Sequence, residues 1–449
     1  MHINKNKIIL AGSWVIIVFG ISQLVRLGSN LILTRLLSPD LFGVMAIIFV
    51  IMYGLAMFSD LGLWAAVVRN KSEDEENFLN TVWTMQVVRG WMMFAIIVIG
   101  SIIFIVLKDS LQLNLHGVYK NESLPYVLIA VAVTAVMYGH RSLAPAIFSR
   151  DLQRGRLELI EFASQVFGVV VMITWAYINP SIWALASAGI ISQFVSLVLL
   201  YLVFDVRHRF AWDKKVVRDV FGFGKWIFIA SALTYIAQQG DKLFFSAYIS
   251  SAQLGIYSIA FMLATVVTTV IEQLSAKVWY PVFCKNCHKL ELLSATYYKT
   301  RIYNDAASLI TIVFLIFLAP TVISFLYDSR YHDAGWMLQI LALSLLGYSI
   351  SSVSNDCLLS LGITKVQMQV MLMRSIALLC MLPYMYSEYG LKGAIIAVAV
   401  NPYFAIHVQF YWLSRQGILK FKKEVSILAL AIVVIGVTIW NASLTVFQN

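Results

Sequence analysis

Roughly thirteen stretches of 18 or more mainly apolar residues follow one another along the 449-residue chain, at about 9–33, 41–66, 81–107, 125–147, 158–178, 181–204, 222–249, 252–280, 301–326, 334–361, 365–387, 389–413 and 424–443. Hydrocarbon offers no hydrogen bonds, so a crossing segment must satisfy its own backbone, and about 20 apolar residues in a helix do so. The runs are too long and continuous for barrel strands. Apolar residues make up 60% and charged ones 12%, against about 25% charged in a soluble domain. The longest connection or tail is about twenty residues, so no separate soluble domain is expected. The expected fold class is an all-α polytopic membrane protein.

The net charge of +10 would suit a nucleic-acid partner, but its placement argues against one. With the N-terminus inside, 20 Lys and Arg fall in cytoplasmic segments and only Arg35, Lys108, Lys120, Arg330 and Lys392 on the opposite side. Orientation follows this bias, so the basic excess is mainly a topology signal. Lys5 and Lys7 before an apolar run resemble a secretory leader, yet Arg26 interrupts the run and no small-residue cleavage site follows, so cleavage is not expected.

Residues 12–60 return without a gap 212 positions later. Gly12, Trp14, Gly28, Ser38 and Gly43 align with Gly224, Trp226, Gly240, Ser250 and Gly255, and Asp60 aligns with Glu272. Six spans, a basic connector at about 205–221 and six more spans give two parallel-repeat six-helix bundles around a central cavity, plus one extra C-terminal helix. The expected domains are 1–209, 210–415 and 416–449. Whether the last segment crosses is left open by its short apolar core, Val425 to Trp440.

No catalytic constellation emerges. The histidines are scattered, and Cys284-Lys-Asn-Cys287-His288, although literally a haem-attachment string, falls in an expected cytoplasmic loop where such attachment does not occur. One cysteine pair and a histidine fall short of a zinc site. No enzyme, cofactor or metal is expected. Ser72 to Glu76 carries a capping-box pattern at the start of the third span.

Eight cations remain inside spans: Arg26, Arg89, Arg141, Lys225, Lys242, Lys277, Arg301 and Arg374. Lys225, Lys277 and Arg301 lie near cytoplasmic ends, where long side chains can snorkel. Arg26, Arg89, Lys242 and Arg374 lie deeper, where a charge costs at least about 2.5–3.5 kcal/mol and therefore faces a bundle interior or water. Ser22, Arg26, Asn30 and Thr34 recur every four residues as one stripe, matched by Thr234, Gln238 and Lys242 with Asp241 adjacent. Gln86 with Arg89, and Gln367 with Arg374, repeat the pairing of an amide with an arginine. Guanidinium forks suit phosphate. Arg26, Asn30, Arg89, Gln238, Lys242 and Arg374 are therefore the candidate anion-binding set. Asp60, Asp241 and Glu272 are candidates for structural pairing or ion coupling.

Leu36-Leu37-Ser38-Pro39-Asp40-Leu41-Phe42-Gly43, Phe58-Ser59-Asp60-Leu61-Gly62-Leu63 and Trp83 to Gly90 resemble bacterial oligosaccharide flippases, the polysaccharide transporter branch of the multidrug/oligosaccharidyl-lipid/polysaccharide exporter superfamily. Leu254-Gly255-Ile256-Tyr257 and Leu361-Gly362 fit its weaker pattern. Members usually have 12 or 14 spans, so thirteen is a departure. The resemblance implies movement of an undecaprenyl-diphosphate-linked glycan from the cytoplasmic to the outer leaflet of the bacterial inner membrane, for O-antigen, capsule or exopolysaccharide synthesis. The implied partners are the lipid-linked glycan, membrane lipids and polysaccharide polymerase machinery, with no nucleic acid. A multidrug/cation antiporter of the same superfamily and a membrane polysaccharide polymerase are the alternatives. An antiporter should present an acidic cavity.

Overall fold

A computed structural model describes residues 5–59, 62–69, 74–111, 116–150 and 155–446. Helices succeed one another throughout, and the described residues contain no strand. The first are α1 (Lys5–Leu36), α2 (Pro39–Phe58), the short α3 (Leu63–Arg69), α4 (Glu75–Leu111), α5 (Leu124–Gly139), the short α6 (Ala144–Arg150), α7 (Gly155–Ile178) and α8 (Ile182–Val203). Then come α9 (Lys214–Tyr248), α10 (Ser251–Leu274), α11 (Tyr280–Asn286), α12 (Leu290–Leu326), α13 (Ala334–Ala342), α14 (Ser344–Ser360), α15 (Lys365–Arg415) and α16 (Phe421–Val446). Nine helical stretches among the described residues are long and apolar enough to cross a membrane, and Phe421–Trp440 is one of them. The protein is a multi-pass membrane protein.

Local sequence explains where the helices start and stop. Pro39 opens α2 behind an extended Ser38, which wastes no backbone donor because a first-turn N–H has no helical partner anyway. Asp74 accepts the Asn77 backbone N–H at 3.2 Å and starts α4, with Glu75 and Glu76 on the positive end of its dipole. The cap is therefore Asp74; Ser72, the expected one, lies outside the described residues. α15 contains a reversal: Gly390 has φ 61° and ψ −151°, a conformation essentially closed to other residues. Trp412 donates to Gln369 and Arg374 to Asn401, so 365–389 and 391–415 run as an antiparallel hairpin.

The chain divides into two compact units, Met1–Ala232 with Ser246–Ala252, and Leu233–Phe245 with Gln253–Asn449. Lipid gives helices little hydrophobic reason to associate, so close contact relies on small residues. In the first unit a Cβ on Gly90 of α4 would stand 2.6 Å from the Ala135 carbonyl oxygen and 3.0 Å from Gly139 Cα of α5. Gly168 of α7 meets the Ala188 carbonyl and Ser192 of α8 in the same way. In the second unit Phe283, Leu293, Tyr297, Cys357, Leu358 and Leu413 form a fully buried cluster. That cluster joins α11, α12, α14 and α15.

Candidate functional site

In the first unit α4 carries Arg89. Its Nε donates to Ser59 Oγ at 2.9 Å and Nη2 to the Ala56 carbonyl at 2.7 Å, both at the end of α2. The freed carbonyl and hydroxyl at that helix end fix the guanidinium's direction. Gln86, one turn before, reaches the C-terminal end of α5. Its Nε2, with two hydrogens, lies 2.9–3.1 Å from the carbonyls of Tyr138, Gly139 and Arg141 and so helps to satisfy the end of α5. Both residues line a polar hollow of about 440 Å³ with Arg141, Glu158, Glu161 and Ser231. Arg141 and Glu161, both in its lining, are paired with each other. Of these, Arg141 is among the cations that the sequence marks inside a span, whereas Glu158 and Glu161 are brought to the hollow by α7.

In the second unit a hollow of about 450 Å³ brings together Arg374, Gln238, Gln367, Glu272 and Asp356. Arg374 is buried; its guanidinium donates from Nε to Asn401 Oδ1 at 3.0 Å and from Nη2 to the Tyr348 hydroxyl at 3.1 Å, and lies over the Tyr348 ring. Asn401 returns a bond from Nδ2 to the Arg374 carbonyl at 2.7 Å. Sequence reasoning missed Asn401 and Tyr348 because their register against Arg374 depends on the α15 reversal and on α14. Asp356 accepts from Ser275, which belongs to a π-helical segment, Ser275–Trp279, extending α10. Such segments are often found at functional sites.

The remaining candidates take several environments. Lys242 donates from Nζ to Gln239 Oε1 at 3.1 Å and sits 4.1 Å from the centre of the Phe261 ring; both neighbours border the second hollow. Asp241 is buried and accepts from the Tyr257 hydroxyl. The α1 stripe divides: Ser22 faces Gln165 of α7, Thr34 is fully buried, Asn30 is half-buried, and Arg26 is exposed, its guanidinium without a hydrogen-bond partner among the described residues. Asp60 and the side chain of Lys225 lie outside what is described, as does the side chain of Lys277.

Arg301 corrects an expectation. Instead of snorkelling it is fully buried, with Nε 2.8 Å from Asp305 Oδ2 and Nη1 3.3 Å from Glu424 Oε2 and 3.0 Å from the Tyr297 hydroxyl. The reason is tertiary. Glu424 arrives from the first turn of α16 and replaces the water that a snorkelling arginine would seek. Removing one partner of such a buried pair costs about 3–5 kcal/mol, so the contact holds α16 against α12.

Comparison with known proteins gives the same class of molecule. Residues 32–336 match the family described as polysaccharide biosynthesis protein. The chain is 19% identical over 286 residues to the teichuronic acid biosynthesis protein TuaB of Bacillus subtilis (strain 168), covering 63% of this chain and 57% of that one. It is 23% identical to the succinoglycan biosynthesis transport protein ExoT of Rhizobium meliloti (strain 1021), covering 70% and 61%. The chain thus spans about three fifths of the length of these two relatives. A putative O-antigen transporter of Shigella flexneri is 22% identical over 89% of this chain and 95% of its own. Among solved structures, the lipid II flippase MurJ in an inward closed conformation superposes with a TM-score of 0.65 at 14% identity, covering 97% of this chain and 98% of that one. An inward-facing multidrug resistance MATE family transporter of the MOP superfamily gives 0.68 at 14% identity, covering 88% and 94%. At such identities the structural likeness concerns the fold. The family match, which extends over more than half of the sequence, is decisive: the chain belongs to the polysaccharide biosynthesis protein family.

Proposed function

We propose that this protein is a flippase that moves an undecaprenyl-diphosphate-linked oligosaccharide from the cytoplasmic to the outer leaflet of the bacterial inner membrane, with its N-terminus in the cytoplasm. The observation that carries the reading is that each unit's helices line a hollow with charged side chains and an oriented arginine in its wall, Arg89 in one and Arg374 in the other. A diphosphate inside a membrane needs cations held ready, because a charge left unpaired there is costly. Guanidinium groups supply both the charge and a planar fork for phosphate oxygens. No bond in the substrate is made or broken; alternating access exposes the hollows to one side and then the other, and the delivered glycan passes to polymerase machinery. Family membership and the names of the relatives support this reading, as does the excess of Lys and Arg in the segments assigned to the cytoplasm.

The test is complementation of a deletion strain. Arg89→Ala and Arg374→Ala should abolish surface polysaccharide and leave lipid-linked repeats on the cytoplasmic leaflet, with protein levels in the membrane unchanged. Normal export by both variants overturns the reading. One observation favours a second reading, exchange of organic cations: in the second unit's hollow Glu272 and Asp356 outnumber Arg374. A deletion strain sensitised to cationic drugs but normal in polysaccharide would decide for it.

A further inference from the structure

In the first unit two hollows share a wall, one lined by four charged side chains (Arg89, Arg141, Glu158 and Glu161) and the other by Arg89 as its one charged residue among those described. The polar one, described above, presents Glu158, Glu161 and Ser231 together with the ring of Trp64, which is 46% exposed. Its neighbour, about 360 Å³, is lined by Phe49 and Met52 of α2, Met93 of α4 and Ala135 of α5; Thr134 and Gln193 are the polar side chains found there alone. Thr134 spends its hydroxyl on the Val131 carbonyl, which leaves that side of the lining apolar. Tyr53, Ala56, Gln86, Arg89 and Tyr138 border both hollows. Of these five, Arg89 alone carries a charge. The Gly90–Gly139 contact draws α4 and α5 together directly beside it.

A wall of this kind sorts a ligand by chemistry along its length. Isoprene carbons pass from lipid to the Phe49–Met93 side at little cost, because that lining is about as apolar as the hydrocarbon they leave. Phosphate oxygens are drawn to the guanidinium that Ser59 and Ala56 hold in place. Sugar hydroxyls donate to carboxylates, and Glu158 and Glu161 both stand in the lining of the polar hollow. Sugar rings also lay their C–H faces on aromatic rings, for which Trp64 is placed. Both volumes lie within the roughly 300–1,000 Å³ usual for small-ligand sites.

Building on the flippase reading, we propose that this pair of hollows holds the middle of the lipid-linked glycan: its first isoprene units in the apolar hollow, its diphosphate at Arg89, and its first sugars in the polar hollow against Trp64 and Glu158. A volume of about 360 Å³ in the apolar hollow suits one chain better than two, so an isoprenyl diphosphate is favoured over a two-chain phospholipid.

The experiment measures binding to the full-length protein in nanodiscs with five probes. They are farnesyl diphosphate, farnesol, inorganic pyrophosphate, phosphatidylglycerol and the host strain's own diphosphate-linked oligosaccharide lipid. Farnesyl diphosphate should bind roughly tenfold or more tightly than farnesol or pyrophosphate, and Arg89→Gln should erase that advantage. Phe49→Ser should weaken the farnesyl probes and leave pyrophosphate unchanged. Trp64→Ala and Glu158→Gln should weaken only the glycan-bearing lipid; both positions are accessible enough to tolerate the change. Variants that weaken every probe alike, or none, overturn the placement, as does equal competition by phosphatidylglycerol. If the wild-type protein binds no isoprenyl diphosphate, the flippase reading falls as well; if it binds one and these variants are silent, only the placement falls.

Discussion

His208 lies in the connector between α8 and α9, its ring stacked on Trp83 at 5.8 Å, and its Nε2 accepts the Leu143 backbone N–H at 3.1 Å. A ring nitrogen that accepts a backbone donor cannot also carry a proton, and burial further disfavours the charged form. The pKa is therefore pushed down from 6.5 to about 4, with burial as the cause. Neighbouring bonds fix the same strap: Arg209 N–H to Asn80, Ala211 N–H to Thr84 and Asn77 to Asp213. Between pH 4 and 6.5 the unfolded imidazole binds more protons than the folded one, so the strap's contribution is complete above about 6.5 and is lost as pH falls toward 4. Hydrogen exchange of the Leu143 and Ala211 amides should accelerate over that window, and His208→Gln should flatten the pH dependence. Exchange that is pH-independent after correction for intrinsic rates would refute this. Arg301 shows the same dependence of a residue on what is brought to it. Its sequence position near a span end suited snorkelling, but Asp305 and Glu424 turn it into a buried tie.

At the scale of elements, the hairpin within α15 depends on two glycines three residues apart. Gly390 supplies the backbone reversal, and Gly393 lets the returning arm approach so closely that a Cβ there would collide with the Met385 carbonyl and Tyr389. Gly390→Ala strains one residue, at a cost of about 1–3 kcal/mol. Gly393→Ala obstructs backbone against backbone and should cost more, because neither arm can yield without moving Arg374 away from Asn401. Thermal unfolding of the purified variants should rank wild type above Gly390→Ala and Gly390→Ala above Gly393→Ala; the reverse order of the two variants would contradict the packing argument. Helix boundaries also follow the sequence repeat. α1 ends at Leu36 and α9 at Tyr248, and α2 begins at Pro39 and α10 at Ser251, each 212 positions apart. The pattern of apolar residues makes these boundaries legible, because turn residues such as Ser38-Pro39 interrupt it. The reversal at Gly390 is equally visible as a break between two apolar runs. By contrast, the π-helical segment after α10 left no sequence signal, since its extra residue per turn depends on what Ser275 meets.

For the molecule as a whole, orientation is the property most directly tied to charge. If the basic segments face the cytoplasm, Lys423→Cys should react with a membrane-impermeant thiol reagent only after the cells are opened, whereas Lys392→Cys should react in intact cells. The opposite labelling pattern would invert the topology and, with it, the direction of the proposed transport. Membrane class and helix succession were already determined by the sequence, because hydrocarbon imposes one rule on every crossing segment: bond your own backbone and expose apolar side chains. The deep cations were equally visible, since charge is conspicuous against an apolar background. Their surroundings were decided only by tertiary structure. Arg89 and Arg374 stand in hollows, Lys242 leans on Phe261, and Arg26 is exposed, although all four look alike in the chain. Hydropathy constrains each helix separately, whereas the environment of a charge depends on which distant carbonyl, amide or carboxylate the packing of other helices places within about 3 Å of it.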